Sequence, residues 1–129
     1  GDTLWVRVDG RSGKPLKLRL HGIDAPEPCQ AWGAQAAAAL REQALHRRVS
    51  VQTRVTDSYG RTVARLLRDG EDLGAWMVRE GHAWNDGFAR RPGPYAQQQR
   101  EARAARRGLF ADADAIEPRL FRRQHGACR

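Results

Sequence analysis

The chain has 129 residues, with 23 Lys and Arg against 15 Asp and Glu, for a net charge of +8. That length suits one compact domain spanning 1–129, no apolar run is long enough to cross a bilayer as a helix, and no signal-peptide pattern is present. Most of the positive charge is Arg, whose forked guanidinium grips phosphate, so the balance favours polyanion partners, nucleic acid first.

"GDT" places Asp2 at the head of a first strand, "TLWVRVDG", which alternates Leu4, Val6 and Val8 with Trp5, Arg7 and Asp9. "LKLRLHGI" alternates Leu16, Leu18 and Leu20 with Lys17 and Arg19, and turn pairs such as Ser12-Gly13 lie between the two runs. The second strand runs into "RLHGIDAPEP", where Asp24 and Glu27 stand among Pro26 and Pro28. Two carboxylates so close repel each other unless a positive charge sits between them. A helix follows in "WGAQAAAALREQALHRR", with Ala37, Leu40, Ala44 and Leu45 on a shared face and Arg47 and Arg48 toward the negative end of its dipole. Two further strands, "VSVQTRV" and "TVARLLRDG", flank the turn "DSYGR" that carries Arg61. Two more helices are expected, "DLGAWMVREG" closed by Gly81 and "PYAQQQREARAARRG" between Pro94 and Gly108. A charged tail from about residue 111 wraps the surface. Period-2 strands with tight turns predict antiparallel pairing, and the order of elements predicts an α+β domain. A small closed or partly closed barrel with three helices packed against it fits.

The two cysteines, Cys29 and Cys128, form no C-x-x-C motif, and His125 with Cys128 supplies too few ligands for zinc. One disulfide between them, tying the tail to the loop after Pro28, implies an oxidising compartment; two free buried thiols are the alternative. Trp5, Trp32, Trp76 and Trp84 read as packing residues rather than base-stackers. His82 and His125 carry no readable signal.

If the first two strands pair as a hairpin, Asp2 comes close to Asp24 and Glu27, with Arg19 on the same strand end. Hard oxygen ligands gathered without His or Cys suit calcium or magnesium, and calcium tolerates irregular, hydrated sites better. Such an ion, with Arg19 and Arg61 beside it, would bracket a phosphodiester while Glu27 orients or deprotonates water. Singly, each residue has a plainer role: Asp2 in a terminal turn, Asp24 capping the Pro26 turn, the arginines solvated on strands. Their joint occurrence favours a site.

"GDT", "RLHGIDAPE" and "DSYGR", in that order, resemble the thermonuclease (staphylococcal nuclease-like) family, and "VREGHAW" and "EARAARRGLF" match its helix patterns, up to roughly Ala113. The resemblance implies a five-stranded OB-fold barrel with three helices, acting as a calcium-dependent phosphodiesterase on DNA and RNA that leaves 3′-phosphate ends. It implies metal ligation by Asp2, Asp24 and the Ala25 carbonyl, and catalytic roles for Arg19, Glu27 and Arg61. Tyr59 matches a tyrosine near the terminal phosphate. The stacking tyrosines expected after "GHAW" are replaced by "NDGFARRPGPY", which offers Phe88 and Tyr95. The Cys29–Cys128 pair is not general to the family but suits an exported, secreted or periplasmic version. Expected partners are single-stranded or frayed DNA and RNA, without a membrane or an obligate protein. The alternative function is a non-catalytic nucleic-acid or protein-binding module on the same fold.

Overall fold

A computed structural model describes residues 2–7, 15–56, 62–87, 92–126 and 128. In chain order these form β1 (Thr3–Val6), β2 (Leu16–Leu20), β3 (Ile23–Asp24), α1 (Gly33–Ala44), β4 (Ser50–Thr56), β5 (Thr62–Arg68) and β6 (Glu71–Asp72). Then come α2 (Leu73–Arg79), β7 (Trp84–Asn85), α3 (Ala96–Ala104), a 3₁₀ turn at Gly108–Ala111, and α4 (Pro118–His125). The main sheet has the order β1-β2-β5-β4, with β6 also on β5, and β3 pairs with β7 separately.

The hairpin expectation holds for β1 and β2, which are antiparallel with Thr3 opposite Arg19 and Val6 opposite Leu16. Antiparallel pairing throughout does not hold. β2 runs parallel to β5, with Arg19 opposite Val63; parallel neighbours need a crossover, and α1 with β4 supplies it. Among the described residues the sheet is mixed and does not close on itself, so of the closed or partly closed barrel expected, full closure is not seen among them. The helices number four among those residues, not three. The extra one, α4, lies in the segment read as a wrapping tail. Its start signal, Pro118 at the first helical position, was present, but its apolar residues Leu120 and Phe121 are adjacent, too few to show a helical period.

Alternation along β2 works as the pattern requires: Leu18 and Leu20 are fully buried while Lys17 faces out. They meet Ile23, Leu66, Leu73, Met77 and Val78 in one core. Asp72 starts α2, its Oδ1 accepting from the Gly74 and Ala75 amides at 2.9 and 3.2 Å, a cap that contributes about 1 kcal/mol. Trp84 is buried edge-on against Phe110, whereas Trp5 is 65% exposed, which corrects its reading as a packing residue.

His82 is flanked by the Trp32 and Trp76 rings, and its Nδ1 accepts from Trp32 Nε1 at 3.1 Å. Burial lowers its pKa from the ordinary 6.5, against an opposing pull from Glu80. The unfolded chain therefore binds the proton more readily than the folded one. This contribution to stability is complete above about pH 6.5 and is lost as pH falls below it. Between pH 7.5 and 5.5 the melting temperature of His82→Gln is expected to fall less, or rise more, than that of the parent; the same change in both would contradict the assignment.

Cys29 and Cys128 are joined, with Cα atoms 5.7 Å apart across 99 residues of sequence. Alkylation without reductant is therefore expected to add no mass. Replacing both cysteines with serine should cost about 3–5 kcal/mol, read as a lower denaturant midpoint.

Candidate active site

The end of β2, the short β3 and the loop after it bring the acidic residues together. Pairing of β1 with β2 is extended by a bond from the Leu20 amide to the Asp2 carbonyl at 2.8 Å, which sets Asp2 beside the end of β2. Thr3 Oγ1 donates to Asp2 Oδ1 at 3.1 Å. Asp24 lies opposite Trp84 in the β3–β7 pair and is buried. Glu27 belongs to a tight loop: its amide donates to Gln30 Oε1 at 3.0 Å, and its carbonyl accepts from the Gln30 amide at 2.9 Å. Gly33, opening α1, packs against the Glu27 carbonyl so closely that a Cβ there would collide with it.

Arg19 lies on the Asp2 side of this group. Its Nη2 donates to the Ile23 carbonyl at 3.1 Å and stands 3.6 Å from Asp2 and 3.8 Å from Asp86. The fourth helix adds two more guanidinium groups. Arg119 is 3.6 Å from Asp86, and Arg122 spans both carboxylates of the β3 loop, 3.6 Å from Asp24 and 2.6 Å from Glu27 Oε1.

The electrostatics centre on Asp24. Burial pushes its carboxyl up from 3.8 to about 6; Arg122 opposes this, Asp2 and Asp86 add to it, and Arg19 opposes it weakly. Arg122 is held more firmly protonated, chiefly by its hydrogen bond to Glu27. A buried carboxylate with acidic neighbours on two sides is a place where added positive charge is stabilising.

Of the predicted site residues, Asp2 pairs with Arg19, Asp24 and Glu27 share Arg122, and both Asp2 and Arg19 act on the Asp24 carboxyl through space; Ala25, between Asp24 and Glu27 in sequence, is buried. Arg61, Tyr59 and Phe88 lie outside the described residues. Tyr95, the other stacking candidate, is buried and donates its hydroxyl to Asp72 at 2.7 Å, so it is a core residue and not a base platform. Asp86, Arg119 and Arg122 were not found from sequence. One signal was available for Arg122: a Cys29–Cys128 bond draws the segment just before Cys128 toward the loop that carries Glu27.

No three His, Cys, Asp or Glu side chains among the described residues are grouped to hold a metal ion by themselves. Asp2 and Asp24 are hard oxygen donors of the kind a divalent ion such as calcium or magnesium takes, and the unfavourable burial of the Asp24 anion would be relieved by such an ion.

Residues 17–112 match the model of a family described as staphylococcal nuclease homologue. Protein ParB of Escherichia coli is 37% identical, over 96% of this chain and 75% of its own length. An uncharacterized endonuclease of Haemophilus influenzae is 36% identical, over 96% of this chain and 68% of its own. The micrococcal nuclease of Shigella flexneri is 35% identical, over 95% and 75%.

Proposed function

Because this chain belongs to the staphylococcal nuclease homologue family, we propose that it is a calcium-dependent phosphodiesterase that hydrolyses DNA and RNA to 3′-phosphate ends. The observation that carries the reading is the pairing of Arg19 with Asp2 across the hairpin, both acting through space on Asp24, which shares Arg122 with Glu27. Asp2, Asp24 and the Ala25 carbonyl would hold the ion. When bound, it supplies positive charge to the scissile phosphate. Glu27 takes a proton from the attacking water, and its backbone anchoring to Gln30 fixes the approach of the carboxylate. Arg19, oriented by the Ile23 carbonyl and Asp2, meets the charge that grows on the phosphoryl oxygens. Arg61 supplies the second guanidinium and Tyr59 contacts the terminal phosphate, each by its place in "DSYGR", while Phe88 contacts a base in place of the family's stacking tyrosines.

The chain's +8 charge favours binding of single-stranded or frayed nucleic acid. The disulfide is compatible with an extracellular or periplasmic location, and no helix among the described residues is long and apolar enough to cross a membrane. End analysis of the cleavage products tests the reaction assigned. Fragments that carry 3′-phosphate and accept 5′ labelling by a kinase without prior dephosphorylation are expected; 5′-phosphate ends would overturn it.

A further inference from the structure

The helix α4 is fastened at both ends to the loop that carries Glu27. Just before its start, Gln30, itself buried, donates from Nε2 to the Ile116 carbonyl at 2.8 Å, and the next turn opens with the fully buried Pro118. Beyond its end, Cys128 is bonded to Cys29, two residues from Glu27. An eight-residue helix is not stable alone, so these pins decide where it lies. Between them Arg119 and Arg122, three apart and hence on one face, stand over Asp86 and over Asp24 with Glu27.

Arg122 therefore occupies the oxygens that the proposed reaction needs. Its bond to Glu27 Oε1 is short, 2.6 Å, and ties up the carboxylate assigned to water. Its other nitrogen faces the Asp24 oxygen on the side of the loop open to the helix. A divalent ion on Asp24 and a guanidinium 3.6 Å from the same carboxylate repel each other.

We propose that α4 is an autoinhibitory strap: it holds Arg122 over Asp24 and Glu27 as a resident counter-cation that a divalent ion must displace before the site can work. The inference rests on the reading of Asp24 as a metal-holding carboxylate. In its resting state the strap balances the charge of the acidic loop; removing Arg122 leaves the carboxylates in place and frees them for the ion. The disulfide limits how far the strap can swing, so Arg122 stays in competition after it is displaced.

Calcium titration by calorimetry on the full disulfide-bonded chain tests this, with Arg122→Ala and the near-isosteric Arg122→Gln compared with the parent and with Asp24→Asn. Both Arg122 variants are expected to bind calcium roughly tenfold more tightly or better at low ionic strength. They should also show a larger calcium-induced rise in melting temperature. Unchanged or weaker calcium binding in the folded Arg122 variants would overturn the strap, as would a rise in KM for nucleic acid with calcium affinity unmoved, which marks Arg122 as a phosphate contact. Asp24→Asn separates the two readings. Loss of binding there supports the metal site whatever Arg122 does, and parent-like binding there removes the ground for both.

Discussion

Glu27→Gln is expected to lower calcium-dependent cleavage of single-stranded DNA by about two to four orders of magnitude. The change is nearly isosteric. The loop is held by backbone bonds with Gln30, which it leaves intact, and the amide oxygen can still accept from Arg122. The loss should therefore fall on kcat, with the fold retained and nucleic-acid binding reduced much less, because the many other arginines remain. Arg61→Ala should fall in the same range through loss of a transition-state cation. Near-native turnover in either variant, measured with the fold verified by circular dichroism, would contradict the roles assigned.

Asp24→Asn should separate activity from stability. The Asp24 carboxyl titrates at about 6 in the folded chain against 3.8 ordinarily, because it is buried beside Asp2 and Asp86. The folded state therefore binds more protons than the unfolded one between these values, and stability falls as pH rises through that window. Above it, the ionised carboxylate carries a cost of about 3 kcal/mol, which a neutral amide of the same shape removes. That cost is already net of the attraction of Arg122 and Arg19, which hold the carboxyl's pKa down. The metal-free variant is expected to be about 2–3 kcal/mol more stable than the parent at pH 7 in urea denaturation. It should lose calcium-dependent cleavage and the stabilisation that calcium gives the parent. A less stable variant would show that the Asp24 anion is already well satisfied by Arg19 and Arg122.

The sequence made the local parts of this architecture readable and left the long-range ones obscure. β1, β2 and the acidic loop are contiguous segments whose alternation and turn residues describe their geometry directly, so the approach of Asp2, Arg19, Asp24 and Glu27 could be anticipated. The parallel pairing of β2 with β5 depends on a crossover far along the chain, and period-2 patterning looks the same for either strand direction. Tyr95 resembled a base platform because its ring is exposed to inference in a Gly- and Pro-rich loop; in the fold, its hydroxyl bonds Asp72 and its ring fills the core. Arg122 was one of several arginines in a polar segment. Only the covalent link from Cys29 to Cys128 singles it out, and that required the pairing of the cysteines to be taken as a distance restraint.

The acidic loop and its arginines are assigned one task, hydrolysis of a phosphodiester with a divalent ion held by Asp2 and Asp24. Cleavage of single-stranded DNA measured in parallel with calcium, with magnesium and with excess chelator tests that assignment most directly. Cleavage with calcium, little with magnesium and none with chelator, restored when calcium is added back, is the predicted result. Equal cleavage in the chelator would contradict it.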